Sequence, residues 1–491
     1  MDTIALPEQG GFLPPELEDY VLERRPGLSL SRRGEKVLII DPDSASWAVL
    51  PRRLEEYLGQ MLDPLKFSLF CAFNPSMEPR RLRSIVDSMY RHGFITLDGR
   101  SFFPPPSVMW RPPDDEPVYP RSFYLHMTDA CNFRCTYCYA RAEGHGSSLR
   151  RETAFAILER IIREIPYDSL YVEFHGGEPL LYRDDIYAIV EYGERRALHA
   201  GKMLNFSLQT NGSLFDGEFI SFAAAHHLKV GVSIDGPPAL HDRFRRYPGG
   251  RGTFSDVWEN VKRAEALGLH CGIIGVVHDP EDYLEAYEFL VSSGVLSFKL
   301  NYSSALGRGR DICPVDEERG RAMARGALAM LRAAAIFNSQ GPLRVKIHDF
   351  NLYLAALLSK KREYMCLRSP CGAGRSILAF GTGGEIYPCE EMSTYPEFAC
   401  GTVWSPVPLT AMIDNSAALA KLRARRVEGL EKCRDCPFRR LCSGKCPHKA
   451  FHSHGTVMRE DPMCSFYRHL FEELMWAIDS TPAIKSLAEP P

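Results

Sequence analysis

No run of apolar residues in this 491-residue chain approaches the length of a membrane span. The start, Met1 to Pro15, has no basic stretch followed by an apolar core, so no signal peptide is expected. A surplus of positive charge is missing as well. Lys and Arg number 59 against 62 Asp and Glu, which leaves a formal net charge of −3. That balance excludes broad binding to a phosphate backbone. Neither a membrane nor a nucleic acid is expected as a partner, and a cytoplasmic location follows as the expectation. Cysteine, by contrast, is abundant: the chain has 15, an odd number. In a reducing compartment such usage points to metal rather than disulfides. Eleven fall in two dense groups, three at 131–138 and eight from Cys366 to Cys464, leaving out Cys400. Cys71, Cys271, Cys313 and Cys400 read as ordinary packing or surface thiols.

The first group is Cys131-Asn132-Phe133-Arg134-Cys135-Thr136-Tyr137-Cys138. Its cysteines stand at i, i+4 and i+7, with an aromatic residue before the third. The apolar run Phe123–Met127 leads in, and Asp129 and Asn132 favour a loop, so the segment reads as strand then loop. Three thiolates this close can hold three irons of a 4Fe–4S cluster, which normally takes four cysteines. The fourth iron is then open. On these residues alone a zinc site is the alternative, since Cys-x2-Cys also suits zinc. The segment resembles the Cys-x3-Cys-x2-Cys loop of the radical S-adenosylmethionine enzymes. The resemblance implies that the open iron chelates the methionine moiety of S-adenosylmethionine. One electron, from an external flavodoxin- or ferredoxin-type reductant, cleaves the sulfonium. The resulting 5′-deoxyadenosyl radical abstracts hydrogen from substrate.

From Arg121 onward strand and helix alternate. Strands are expected at Phe123–Met127, Leu170–Phe174, Leu204–Leu208, Val230–Ile234, Gly272–Val277 and Phe298–Asn301, with helices between them. Alternation of this kind gives a parallel sheet, and six units make a partial (β/α)6 TIM-like barrel, as in the radical enzymes. Sites in barrels lie at the carboxyl ends of strands. His175-Gly176-Gly177-Glu178-Pro179 ends the second strand, and paired glycines let a ligand approach bare backbone. Ser207 to Gly212 ends the third. Ser233-Ile234-Asp235-Gly236-Pro237 ends the fourth, followed by His241-Asp242-Arg243-Phe244-Arg245. This last run is similar to sulfatase-maturing enzymes. By resemblance Tyr137, Gly176, Gly177, Glu178, Ser207, Asn211, Ser233 and Arg245 bind S-adenosylmethionine. No role is assigned to His175.

Further on, Cys371-x12-Gly384-x4-Cys389 is followed by Cys433-x2-Cys436-x5-Cys442-x3-Cys446-x17-Cys464. This resembles the seven-cysteine extension of peptide-modifying radical enzymes, the SPASM domain. Cys366 supplies an eighth thiol, and eight thiols can saturate two 4Fe–4S clusters. Two structural zinc sites are the alternative. By resemblance Cys366, Cys371, Cys389 and Cys446 hold the first auxiliary cluster, and Cys433, Cys436, Cys442 and Cys464 the second. That makes three 4Fe–4S clusters in all. Gly383 to Pro388 reads as a hairpin delivering Cys389. Glu390 stands where sulfatase maturases carry an Asp base. Cluster charge and burial are both expected to raise its pKa.

Before the barrel, Leu28–Ser31, Lys36–Ile40 and Ser46–Leu50 have strand character, and Arg53–Leu62, Lys66–Phe73 and Pro79–His92 look helical. They resemble a winged helix-turn-helix, more narrowly the pyrroloquinoline-quinone peptide chaperone. In that family a leader peptide adds as a strand to the sheet edge. The chain thus divides into a tail at 1–22, this winged-helix-like α+β domain at 23–103, and a Pro-rich linker at 104–120. The barrel follows at 121–345, a bridging helix at 346–365, the cysteine-rich iron–sulfur domain at 366–465, and a C-terminal helix and tail at 466–491. The whole implies a radical enzyme that modifies a ribosomally made precursor peptide. The alternatives are a formylglycine-generating enzyme of the sulfatase-maturing type and, in a different class, a non-catalytic iron–sulfur electron-transfer protein.

Overall fold

Apolar alternation along six stretches produces six strands. They are β1 Ser122–Thr128, β2 Ser169–Gly176, β3 Met203–Thr210, β4 Lys229–Ser233, β5 Cys271–Val277 and β6 Ser297–Tyr302. The computed structural model describes residues 13, 17–109, 119–360, 362 and 364–488. The six strands pair in parallel and in chain order, consistent with the partial barrel expected. Successive side chains of a strand point to opposite faces. In β2 Leu170, Val172 and Phe174 are buried in the core, while Glu173 and His175 face a central cavity. The crossover helices are amphipathic. In Arg151–Glu164 the residues Ala154, Ile157, Leu158 and Ile161 are buried, the i, i+3, i+4, i+7 stripe that covers a sheet. The Asp216 side chain accepts the Phe219 N–H at 2.9 Å and caps Gly217–Ala225.

The sheet continues beyond β1 and β6. Lys346–Ile347 pairs with β6. Ile377–Phe380 pairs in parallel with β1, and Glu385–Tyr387 and Gly401–Thr402 extend the edge antiparallel, completing a 10-stranded sheet. The hairpin that carries Cys389 is thus part of the barrel sheet rather than of a separate layer. The helix expected at 346–365 occupies His348–Ser359. Within the expected barrel segment at 121–345, two α-helices were not foreseen: Pro238–Phe244, directly before Arg245, and Glu317–Gln340.

Pro117–Arg434, Cys442–Glu473 and Ala483–Pro491 form one compact unit. Within it Arg425 is fully buried. Its guanidinium donates to the carbonyls of Val457 at 2.6 Å, Lys445 at 3.2 Å, and Gly444 and Arg459 at 2.8 and 2.9 Å. These bonds staple the loop around Cys446, each worth about 1.5–3 kcal/mol where one partner is charged.

The second unit comprises Met1–Glu116, Asp435–Leu441 and Leu474–Pro482. Its strands Ser29–Arg33, Lys36–Asp41 and Ser46–Pro51 form an antiparallel sheet, and Arg53–Gln60, Phe67–Phe73 and Pro79–Arg91 are helical. A second sheet sets Val21–Arg24 between Leu65–Lys66 and Ile95–Leu97. The tail expected at 1–22 therefore needs correction at its end. Leu17 and Leu22 are completely buried, in one core with Leu54, Phe70, Leu82 and Ile95. Tail residues 1–12 and 14–16 and linker residues 110–118 lie outside the described residues. Among the described residues no helix is long and apolar enough to cross a membrane.

Candidate active site

The loop that carries Cys131 is clamped onto the end of β2. Gly177 N–H donates to the Thr128 carbonyl at 2.7 Å and Glu178 N–H to the Ala130 carbonyl at 2.8 Å. Gly176 has φ +134°, and a Cβ there would lie 2.5 Å from the Thr128 oxygen. A Cβ on Gly177 would lie 2.1 Å from the Ala130 oxygen. Both glycines line the central cavity. Their bareness lets two stretches of the chain's own backbone meet.

That cavity, of about 540 Å³, opens over the carboxyl ends of the strands. Cys131, Cys135 and Cys138 line it together. Burial pushes the Cys131 thiol up to about 12 and the Cys135 thiol to about 11. The protein alone thus does not hold these sulfurs as thiolates, whereas a bound iron cluster deprotonates its ligands outright. The donor set fits such a cluster with one iron left open. Asn211 stands beside it: its Nδ2 is 4.0 Å from Cys131 Sγ and donates to Asn132 Oδ1 at 2.8 Å.

Beside these thiols is a buried polar triad. Asp235 Oδ2 accepts from Tyr137 Oη at 2.7 Å and from Arg245 Nε at 2.9 Å, while its Oδ1 accepts the Val276 N–H at 2.9 Å. Burial alone would raise the Asp235 carboxyl, but Arg245 and His241 hold it below the usual range. The Arg245 guanidinium also lies 5.3 Å from the centre of the Tyr137 ring, a cation–π contact. Tyr137 and Arg245 both line the cavity, as does Ser233, which accepts from Gln209 Nε2 at 3.1 Å. Asp235 went unassigned from sequence, although its position directly after Ser233-Ile234 marks the strand end.

Two expected ligand contacts are corrected. The Glu178 carboxylate is fully buried and accepts Leu180 N–H at 3.0 Å, Thr210 Oγ1–H at 2.7 Å and Asn211 N–H at 2.7 Å. It ties the end of β2 to the end of β3 and is no part of the cavity wall. Ser207 Oγ donates to Glu173 Oε2 at 3.4 Å and lies short of the strand end, whereas Gln209, Thr210 and Asn211 reach the cavity. Glu173 itself faces the cavity, with its carboxyl raised by burial.

Cys366, Cys371, Cys389 and Cys446 line the same cavity. The Cys366 and Cys371 thiols are hydrogen-bonded to each other, which lowers the first and raises the second. Burial pushes up Cys389 and Cys446. Cys446 Sγ lies 3.4 Å from Glu391 Oε2, and His448 Nδ1 lies 3.4 Å from the same oxygen. Of the second expected set, Cys433 is buried and Cys436, Cys442 and Cys464 are partly buried.

Glu390 meets His175 Nδ1 at 3.1 Å and accepts a hydrogen bond from Tyr139 Oη. Burial would raise its carboxyl, but the facing His175 holds it below the usual range. The elevated pKa expected for Glu390 is therefore corrected. His175 carries the opposite shift. Burial would lower it, yet Glu390 lifts it to about 9.

Residues 125–290 match the Radical SAM superfamily model. An uncharacterized protein of Archaeoglobus fulgidus is 29% identical over 361 residues, covering 71% of this chain and 80% of its own. A serine-type anaerobic sulfatase-maturating enzyme of Bacteroides thetaiotaomicron is 24% identical over 342 residues, covering 65% of this chain and 81% of its own. Among solved structures, native anSMEcpe with bound AdoMet has a TM-score of 0.65 at 20% identity, over 75% of this chain and all (100%) of its own. Streptococcus suis SuiB bound to precursor peptide SuiA reaches 0.52 at 14% identity, over 90% and 98%. Both share the mixed α/β fold with its large central sheet.

Proposed function

We propose that this chain, whose residues 125–290 match the Radical SAM superfamily model, is an enzyme that uses S-adenosylmethionine and a 4Fe–4S cluster to modify a residue of a ribosomally made peptide. One observation carries this reading: seven thiols, in groups of three and four, line one cavity. The group of three holds the cluster with the open iron. The group of four holds a first auxiliary cluster, and Cys433, Cys436, Cys442 and Cys464 hold a second. When bound, the cluster held by Cys131, Cys135 and Cys138 would supply the electron that cleaves S-adenosylmethionine to methionine and a hydrogen-abstracting 5′-deoxyadenosyl radical.

The chain's own residues do the rest. Asn211 donates toward the Cys131 sulfur. Arg245, fixed by Asp235, offers a cation to the cofactor carboxylate, for which a guanidinium fork is well shaped. Ser233 and Gln209 supply hydrogen bonds at the neighbouring strand ends. Glu390, ionised and paired with His175, is the proton acceptor at the wall nearest Cys389. Residues 23–103 recognise the precursor peptide, with Ser29–Arg33 and Ser46–Pro51 as the edge strands on which it adds.

The sulfatase-maturase reading is favoured by a different observation, the relative at 24% identity over most of its length. Mass spectrometry separates the two. Reduced enzyme is given S-adenosylmethionine with either a sulfatase-type peptide bearing one Cys or Ser, or a short peptide encoded beside this chain's gene. A crosslink or other modification confined to the neighbouring peptide supports the proposal. Formylglycine in the sulfatase-type peptide, with the other unchanged, supports the second reading.

A further inference from the structure

The loop between Cys442 and Cys446 runs in a conformation that its residues resist. Ser443, Gly444 and Lys445 have φ of +56°, +70° and +51°, three left-handed residues in succession. Glycine adopts that conformation freely, whereas serine and lysine are strained in it. The surrounding bonds hold the strain in place. Arg425 donates to the Gly444 and Lys445 carbonyls at 2.8 and 3.2 Å, and the Asp461 N–H donates to the Gly444 carbonyl at 3.1 Å. Ser443 Oγ–H donates to the Leu367 carbonyl at 2.7 Å, which ties the loop to the residue after Cys366. Strain over-determined in this way clusters at functional positions.

The turn sends the Lys445 side chain inward. Only 4% exposed, Lys445 lines the central cavity. Its Nζ lies 4.2 Å from the ring centres of both Tyr353 and Tyr467. Tyr353 stands on the helix His348–Ser359, and Tyr467 on the helix Cys464–Ser480, three residues after Cys464. Two ring faces attract an ammonium without cancelling its charge. Lys445 forms no ion pair among the described residues. The carboxylates in its surroundings are committed elsewhere. Asp349 faces Lys299 at 3.5 Å, and Asp461 accepts the Cys446 and Met463 N–H groups at 3.2 and 2.8 Å. Burial works against the charge of Lys445. The groups that favour it are first the sulfurs of Cys442 and Cys366, one from each expected auxiliary set, and then Asp349 and Asp461. A buried cation without a partner is costly, so the site calls for an anion. A 4Fe–4S cluster on four thiolates is anionic, gains negative charge on reduction, and takes its potential from the charges around it.

We propose that Lys445 is a fixed cation for the auxiliary clusters and that its ammonium raises their reduction potential. The inference rests on the reading of the eight thiols as two such clusters. The effect is electrostatic: the ammonium faces the negative charge that reduction adds, with no bond made or broken.

The test uses full-length C131A/C135A/C138A protein, in which only the auxiliary clusters remain, and the same protein carrying K445M or K445R. Each is reconstituted anaerobically and its iron is counted. Redox titration followed by electron paramagnetic resonance then gives the midpoint potentials. Methionine keeps much of the length of lysine without its charge. The proposal expects about eight irons in all three proteins. It expects reduction of the K445M clusters to be about tenfold less favourable, a midpoint lower by about 59 mV for one electron, with K445R close to the parent. Unchanged midpoints in K445M would overturn it. So would an equal fall in K445R, or loss of auxiliary iron in K445M, either of which would make Lys445 a support of the loop rather than a charge. A parent protein that binds no iron would overturn the auxiliary-cluster reading, and the proposal with it.

Discussion

His175 Nδ1 and Glu390 Oε1 lie 3.1 Å apart, joining the end of β2 to the residue after Cys389. The pair is buried enough for each charge to control the other. Burial would lower the imidazole, yet Glu390 lifts it to about 9, and His175 keeps Glu390 ionised. Glu390→Gln removes the counter-charge, so His175 should fall to its ordinary value near 6.5 or lower. Modification of His175 by diethyl pyrocarbonate, followed by peptide mass spectrometry against pH, reads this directly. Wild-type His175 should resist until near pH 9, and the variant should react from about pH 6. Identical profiles would mean that the ion pair does not form.

Asp235 has no exposed surface and is the common acceptor for Tyr137 and Arg245. Asp235→Asn keeps its size and leaves the Arg245 cation without a partner. Removing one member of a buried pair costs ~3–5 kcal/mol. Urea unfolding should show that loss, and the Kd for S-adenosylmethionine should rise with it. A variant as stable as the wild type would mean that Arg245 finds another partner.

Gly177→Ala would place a methyl group 2.1 Å from the Ala130 oxygen. Backbone cannot yield as a side chain can, so the clamp on the Cys131 loop should open. The expected result is loss of about a third of the bound iron, one cluster in three, with abolished deoxyadenosine formation. Full iron content in this variant would show that the clamp is dispensable.

His241 supplies a pH dependence. Its Nδ1 faces the Asp235 N–H at 3.4 Å and its Nε2 lies 3.0 Å from Thr253 Oγ1. Burial lowers this imidazole to about 4. The unfolded chain therefore takes up the proton first as pH falls. The stabilisation is complete above about pH 6.5 and is lost toward pH 4, at about 1.4 kcal/mol per pH unit. His278, stacked on Phe244 at 3.5 Å, is also lowered to about 4, chiefly by burial. His241→Gln should thus remove about 2 kcal/mol of the fall in stability between pH 7 and pH 5. Denaturant midpoints of the two proteins at the two pH values decide it.

The barrel was legible because its strands are short apolar runs whose position needs no distant partner to infer. Val21–Arg24 was not, since its pairing partners, Leu65–Lys66 and Ile95–Leu97, are far away in sequence. The same limit applied to the site. Cysteine spacing marked the thiols, because ligand geometry imposes local intervals. Glu178 sits in a motif that resembles a cofactor contact, but three hydrogen bonds engage its carboxylate within the fold. His175 and Asp235 act through contacts that spacing does not encode. The rise expected for Glu390 failed for that reason: its neighbour in sequence is a cysteine, while its neighbour in space is a cation.

The central claim is that Cys131, Cys135 and Cys138 hold a cluster with an open iron that cleaves S-adenosylmethionine. The most direct test measures iron, zinc and 5′-deoxyadenosine on anaerobically reconstituted wild type and on C131A/C135A/C138A. The wild type should carry about twelve irons and form deoxyadenosine on reduction, whereas the variant should keep about eight irons and form none. Tightly bound zinc without iron, or deoxyadenosine formed by the variant at the wild-type rate, would contradict the claim.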